Sequence, residues 1–241
     1  MKGILVAAGF GEQVAPRRWR GSGLRCPSLE SPPVDRAIDA FARAGFEEVA
    51  VVVGHNEDVL WHYLEDSARY GISIYCLHNA QHLRGAATAV CAARAFVGGE
   101  PFVVALSSHA VTVNVLLSLR ARATGAHALS VEKHPRHHSQ GDGAVRVWLD
   151  EQGCVRGIGQ CLRHWHAIST GAFLFQPTVF ARISELLRGA GACSMTTLVR
   201  HMIACDEAPY GCEVSPQWVD VLGSEHLLAW TTPILSARLA A

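Results

Sequence analysis

Gly3-Ile4-Leu5-Val6-Ala7-Ala8 runs straight into Gly9-Phe10-Gly11 near the start of the chain. A short apolar run with no polar interruption, cut off by glycines, suits a central strand of a parallel sheet covered on both faces. Met1 and Lys2 before it give a faint likeness to a signal peptide, but the apolar stretch is too short and ends in a glycine loop, so it reads as a buried strand. No apolar run in the chain approaches the ~18–20 residues a membrane span needs. In an open α/β sheet, ligands bind beyond the carboxyl ends of the strands, so the first place to look for chemistry is Ala7-Ala8-Gly9-Phe10-Gly11. Glycines there let backbone N–H groups approach a phosphate or a base edge closely, although the same residues fit a plain tight turn.

The loop that follows runs from Gly9 to about Pro33 and is rich in Arg, Gly and Pro. Long loops of this kind in compact domains are usually functional. A dinucleotide fingerprint would need glycine at position 14, which is Val14, and no G-K-[ST] phosphate loop is present. What remains is a glycine turn followed by Arg17, Arg18, Arg20 and Arg25. Guanidinium groups clustered beside a strand end suit a triphosphate; a solvated basic loop has the same composition.

Further along, strand and helix patterns alternate. Val34, Ala37, Ile38 and Phe41 fall at helical spacing, with Gly45 as a stop. Val49–Val53 reads as a strand, Asn56 as the cap of a helix carrying Val59, Tyr63 and Leu64, and Ile72–Leu77 as a strand. Gly85–Phe96 reads as an alanine-rich helix, Phe102–Leu106 as a strand, Val113–Ala123 as a helix and Ala128–Val131 as a strand. This rhythm predicts an α/β fold with a three-layer, mostly parallel, doubly wound sheet. After about residue 135 the pattern changes. Ala144–Leu149 and Cys154–Ile158 form a β-hairpin about Asp150-Glu151-Gln152-Gly153. Ile168–Phe175 is a strand, Pro177–Leu187 and Met195–Ile203 are helices, and Tyr210–Val214 and Trp218–Val221 are short strands before a helix capped by Ser224. The organisation expected is a single domain over 1–241, with a nucleotide-binding half over 1–133 and an acceptor-binding half over 134–241.

Composition narrows the function classes. Of 241 residues, 49% are hydrophobic and 17% charged, which excludes intrinsic disorder. Lys+Arg and Asp+Glu are both 21, so the excess cation that a general nucleic-acid or anionic-membrane binder relies on is missing. Only Lys2 and Lys133 are lysines. The eight cysteines include no C-x-x-C pair, which reads as reduced thiols in a cytoplasmic protein rather than a disulfide or zinc framework. His134, His137 and His138 cluster without the spacing of a rigid metal site. Ser107, Ser108 and His109 lack the flanking glycines of a nucleophile elbow. Leu227 and Trp230 suit packing or the surface of a homo-oligomer.

Several segments together resemble the sugar-nucleotidyltransferase family. Leu5–Gly11 resembles its L-A-A-G-x-G-x-R opening, and Pro33-Val34-Asp35-Arg36-Ala37-Ile38-Asp39-Ala40 its P-L-I-D-R-A-L-x-A-L helix. Ala44–Gly54 is similar to A-G-I-x-E-I-x-V-V-V-G. His78-Asn79 followed by Gly85-Ala86-Ala87 is similar to the base-and-ribose segment, Phe102–His109 to F-L-L-x-M-S-D-H, Ser169–Leu174 to T-G-x-F-L, and Trp218-Val219-Asp220-Val221 to W-x-D-V. The S-x-H and W-x-D-V versions resemble the branch that contains inositol-phosphate and phosphocholine cytidylyltransferases. The resemblance implies a nucleotide-diphospho-sugar-transferase-like fold and a reaction. A phosphorylated sugar or alcohol attacks the α-phosphorus of a nucleoside triphosphate in line, pyrophosphate leaves, and Mg2+ and fixed cations neutralise the charge between the two anions. It implies nucleotide contacts from Ala7, Ala8, Gly9, Gly11, Asn79, Gly85, Ala86 and Ser108. It places the acceptor near His109, Gln160, His166, Thr170 and Gly171, the reacting groups near Arg17, Arg18, Arg25 and Asp220, and Mg2+ on Asp220. Cytidine triphosphate is the expected donor.

The departures from the family pattern fall on its charged positions. Gln13 stands where the motif has Arg, Arg25 is the nearest cation to a missing Lys, Ser108 replaces the metal-binding Asp, and Gln160 follows Ile158-Gly159 where relatives carry Lys. A neutral hydroxyl does not replace an anionic oxygen ligand for a hard cation. Two readings follow: a working transferase with a rebuilt site, or a catalytically silent relative that binds nucleotide or a partner protein.

Overall fold

The structure is a computed structural model, and it describes residues 1–7, 33–54, 61, 64, 67–109, 111–123, 125–133, 144–189 and 191–214. In chain order these form β1 (Lys2–Val6), α1 (Pro33–Arg43), β2 (Glu48–Val53), β3 (Ser73–His78), α2 (Ala87–Ala92), α3 (Arg94–Val97), β4 (Phe102–Leu106), α4 (Val113–Arg120), β5 (Ala128–Glu132), β6 (Arg146–Leu149), β7 (Val155–Gly159), β8 (Ala167–Phe175), α5 (Val179–Arg188), α6 (Met195–Ala204) and β9 (Tyr210–Glu213). Short 3-10 turns occupy Ser67–Tyr70 and His82–Arg84. Trp61 and Leu64 are helical; the rest of the helix expected after Asn56, the His134–Gly143 loop, the Trp218–Val221 strand and the helix at Ser224 lie outside the described residues.

The main sheet has the order β3-β2-β1-β4-β8-β5-β9. β1 pairs in parallel with β2 and β4, β2 with β3, and β5 with β9. β8 pairs antiparallel with both β4 and β5, so it alone runs against the other strands of this path. The β6–β7 hairpin attaches to β8 through Arg146 and Val147. A strand from the second half of the chain is therefore threaded between two strands of the first half.

Alternation along each strand divides the core in two. Ile4 and Val6 of β1 face one layer, where Val90, Phe180, Ile183, Leu198 and Met202 of α2, α5 and α6 pack. Leu5 faces the other, where Ala37, Ile38 and Phe41 of α1 and Leu116 and Leu119 of α4 pack. Two helical layers enclose the sheet, as the βα rhythm predicts. Ile38, Phe41, Leu116 and Leu119 are fully buried, and each such side chain contributes about 1.5–3 kcal/mol relative to exposure. The chain leaves α1 through Gly45 at φ 77°, and the Arg120 guanidinium donates to the carbonyls of Ala44 (2.6 Å) and Gly45 (2.9 Å). A cation at these last carbonyls opposes the negative end of the helix dipole.

One expected helix starts late and is interrupted. Gly85–Phe96 is not a continuous helix: Gly85 follows the His82–Arg84 turn at φ 117°, α2 begins only at Ala87, and Ala93 separates α2 from α3. Tertiary hydrogen bonding to Cys193 holds Arg84–Ala86 outside the helix start, because Cys193 N–H donates to Arg84 O (2.6 Å) and Cys193 O accepts from Ala87 N–H (3.0 Å). The helix expected over Val113–Ala123 ends at Arg120. The seven cysteines among the described residues are free thiols.

His127, at the start of β5, is buried. Its Nδ1 accepts from the Gln176 N–H (3.2 Å), so the ring carries its proton on Nε2, 3.2 Å from Thr178 Oγ1. Burial pushes its pKa below the ordinary 6.5, with the Glu207 carboxylate pulling the other way. A base whose folded pKa is depressed supplies stability that is complete above the unfolded value and is lost as pH falls from there through the folded value. Thermal melts between pH 7 and pH 5 will therefore show a falling midpoint, and His127→Gln will flatten that slope; an identical slope in the variant contradicts the assignment.

Candidate functional site

The connections from β1 through β2 to β3 run outward in one direction, and the chain then returns to place β4 on the other side of β1. Such a reversal leaves a crevice at the carboxyl ends of the two central strands. Here those ends are Val6-Ala7 and Leu106-Ser107. Ser107 closes the gap between them: its N–H (3.1 Å) and its hydroxyl (2.8 Å) both donate to the Val6 carbonyl, while Ala7 N–H donates to Val52 O (2.8 Å). Ala7 is buried at the base of the crevice. Ala8, Gly9, Gly11, Arg17, Arg18 and Arg25 follow outside the described residues, as does Asp220.

The register carries the remaining candidates to the same edge. Val6 pairs with Leu106, Val53 with His78, and Glu132 and Arg146 both with Ile168. Asn79 follows β3, Ser108 and His109 follow β4, Thr170 and Gly171 lie in the middle of β8 just before Ala172, the partner of Ala105 near the end of β4, and Gln160 follows Gly159, the partner of Arg146. His166 is exposed just before β8, and its N–H donates to Val147 O (3.2 Å).

Asn79 and Gly85 frame one wall. Asn79 is 3% exposed; its Nδ2 donates to Thr88 Oγ1 (2.8 Å) and its Oδ1 accepts from Gln81 N–H (3.1 Å). Thr88 in turn donates to the carbonyl of Gly85 (2.7 Å). This knot holds residues 79–88 in one shape. A Cβ on Gly85 would lie 2.8 Å from the Cys193 carbonyl carbon and oxygen, so this position requires glycine for space as well as for φ. Arg84 fastens the far side, donating to the carbonyls of Leu187 (3.1 Å) in the last turn of α5 and Gly189 (2.7 Å) just after it. Ala86 continues from this bend into α2.

On the opposite wall, the Ser108 hydroxyl and His109 Nδ1 are hydrogen-bonded at 2.9 Å. The His109 ring fills the space a side chain at Gly171 would need, its Cγ lying 2.5 Å from an ideal Cβ there. The Thr170 hydroxyl points into a buried bond with Ser130, which also donates to Ala172 O (3.0 Å). So His109 and Gly171 are in contact beside Ser108, while Thr170 secures β8 to β5.

Glu132 and Lys133, at the end of β5, were not singled out by the sequence reading. Glu132 is 4% exposed and is the one buried carboxylate among the described residues. Lys133 pairs with Glu213 at the end of β9 (2.9 Å). The signal was available, since Lys133 is one of two lysines in the chain and follows an acid at a strand end. An acid and a cation there suit a hydroxylated, phosphorylated ligand.

The donors described here do not make a Mg2+ site. Ser108 offers a neutral hydroxyl already bonded to an imidazole, and hard cations take anionic and carbonyl oxygens. Glu132 lies two strands away from β4, about 10 Å at ordinary strand spacing, too far to share one ion with Ser108.

Comparison with known proteins gives a consistent picture. A family model described as "Nucleotidyl transferase" matches residues 2–231. The chain is 25% identical, over 232 residues, to the low-salt glycan biosynthesis nucleotidyltransferase Agl11 of Haloferax volcanii, covering 95% of this chain and 64% of that protein. It is 24% identical to a glucose-1-phosphate thymidylyltransferase of Streptomyces griseus, covering 91% of this chain and 62% of the relative. It thus spans less than two thirds of either relative's length. Among solved structures, the inositol-1-phosphate CTP transferase from T. maritima superposes with a TM-score of 0.79 at 16% identity, covering 93% of this chain and 90% of the other.

Replacing Gly85 with Ala will strain a positive-φ position and drive Cβ into the Cys193 backbone, at a cost of roughly 2 kcal/mol. That corresponds to a fall of roughly 5 °C in melting midpoint. Gly71→Ala, at φ 68° with no atom within 4 Å of the new Cβ, will fall less. Equal losses would contradict the crowding at Gly85.

Proposed function

This chain belongs to the nucleotidyl transferase family, and from that membership we propose that it joins a nucleoside monophosphate to a phosphorylated sugar or alcohol. An acceptor phosphate oxygen forms a bond to the α-phosphorus of a nucleoside triphosphate, the bond from that phosphorus to the β-bridging oxygen breaks, and pyrophosphate leaves with the electron pair. No protein nucleophile is required; the site positions two anions and offsets their repulsion. The observation that carries this reading is the gathering of Ala7, Asn79, Ser108, Glu132 and Gln160 at one edge of a mostly parallel sheet, around the reversal between β1 and β4.

In this reading the triphosphate lies across the β1–β4 crevice. The glycines after Ala7 approach it through their amides, and the Arg17, Arg18 and Arg25 guanidiniums face its phosphates. The bend at Gly85 and Ala86 lies under the base and ribose. The acceptor occupies the β5–β8 side, with the Lys133 ammonium on its phosphate, Glu132 accepting from a hydroxyl, and His109, His166 and Gln160 around it. Cytidine triphosphate is the donor we favour. Asp220 is the carboxylate that would meet a divalent ion, and no step is derived through that ion.

The Ser108–His109 hydrogen bond favours a second reading, a relative that binds nucleotide without turning it over. Pyrophosphate release measured with CTP, UTP, dTTP, GTP and ATP against glucose 1-phosphate and inositol 1-phosphate, with and without Mg2+, separates the two. Turnover with one donor–acceptor pair supports the transferase. Nucleotide binding without turnover, with activity gained in Ser108→Asp, supports the silent relative. No binding of any triphosphate contradicts both. For an active pair, Lys133→Ala will lower kcat/KM for the acceptor by about 10-fold or more, the scale of one lost bond to a charged group, and leave the melting midpoint nearly unchanged.

A further inference from the structure

Glu185 on α5 and His201 and Cys205 at the end of α6 bring three different metal-binding groups together on the face of the sheet opposite α1 and α4. His201 and Cys205 are one helical turn apart and therefore share a side of α6. His201 Nε2 lies 2.7 Å from Glu185 Oε2 and 3.9 Å from Cys205 Sγ. The three ligand atoms all lie within 4.8 Å of one another, and each residue is only partly buried, leaving a path from solvent.

We propose that Glu185, His201 and Cys205 form a binding site for a borderline-soft divalent ion, Zn2+ in the first place, that ties α5 to α6. With Zn–S near 2.3 Å and Zn–N near 2.0–2.1 Å, a tetrahedral ion needs its sulfur and nitrogen about 3.6 Å apart and its nitrogen and oxygen about 3.3 Å apart. The observed 3.9 and 2.7 Å differ from these by about half an ångström, within the reach of side-chain rotation. The second layer is also in place. Arg182 donates to both Glu185 oxygens (2.8 and 3.0 Å) and, through its other nitrogens, to Glu207 (2.9 and 3.0 Å), so the carboxylate is held ionised and aimed. Such outer contacts fix the orientation of metal-binding carboxylates.

Binding replaces the His201–Glu185 hydrogen bond. The Nε2 lone pair turns to the ion with the ring proton on Nδ1, and Cys205 binds as thiolate, its proton passing to solvent. Affinity therefore rises with pH. Three protein donors leave a fourth position for water. Thiolate and imidazole discriminate against Mg2+, which prefers oxygen. The site also lies apart from the nucleotide edge. α6 begins at Met195 beside the Cys193–Gly85 contact and ends at Ala204, about 15 Å away along a ten-residue helix. The inference stands independently of the proposed transfer reaction.

Cobalt(II), a spectroscopic substitute for zinc, tests it on the full chain with excess Mg2+ present. A thiolate-to-cobalt charge-transfer band that saturates at one equivalent, disappears in Cys205→Ser and is bleached by Zn2+ is the expected result. Zn2+ will also raise the melting midpoint of the unmodified chain by several degrees and that of Cys205→Ser by less. If Cys205→Ser does not fold by circular dichroism, Glu185→Gln serves instead, with cobalt affinity expected to fall at least ten-fold. Absence of a one-equivalent band, or a band that persists in Cys205→Ser or keeps its affinity in Glu185→Gln, overturns the site.

Discussion

The Val6 carbonyl accepts twice from Ser107, once from its N–H and once from its hydroxyl. That shared acceptor joins the ends of β1 and β4 at the point where the strand order reverses, and the placement of the site depends on it. Strands above and below bring their own termini to the same level because parallel pairing leaves little freedom of register once both faces are buried. Ala7, Asn79, Ser108 and Glu132 then arrive at one edge although they are far apart in sequence.

A second constraint links the two halves of the chain. β8 is inserted between β4 and β5, and the linker from α5 to α6 returns to bond with Arg84 and Ala87 around Gly85. The bend at Gly85 is thus shaped by residues contributed from the second half of the chain. Gly85 has a positive φ because the Cys193 backbone occupies the space a side chain would take. Movement of the α5–α6 linker on ligand binding would be transmitted directly to that bend.

Much of this was legible in the sequence for simple reasons. Leu5, Val6, Val49–Val53 and Val103–Ala105 form uninterrupted apolar runs because both sheet faces are covered, and those runs mark the parallel strands. Ala37, Ile38 and Phe41 mark the buried side of α1 by spacing alone. The Asp150–Gly153 turn announced its hairpin. The break at Gly85 was not legible, since the alanines after it favour a helix and only the distant Cys193 backbone decides otherwise. The threading of β8 was not legible either, because no local pattern records which strands it separates. Glu132 was hidden at the end of a short, fully buried strand in which only Ser130 is otherwise polar, and Lys133, although one of two lysines, carried no motif that tied it to a site. The arginines after Gly11 and the carboxylate of Asp220 remain readings of sequence, lying outside the described residues.

Hydrogen–deuterium exchange with and without a saturating nucleoside triphosphate tests the central claim, that a nucleotide occupies the β1–β4 crevice. Slowed exchange in peptides that include Val6-Ala7, Asn79–Thr88 and Ser107–His109, with Gly98–Pro101 and Ala126–His127 at the opposite edge unchanged, is the expected pattern. Protection confined to that opposite edge, under conditions where binding is established, would contradict it.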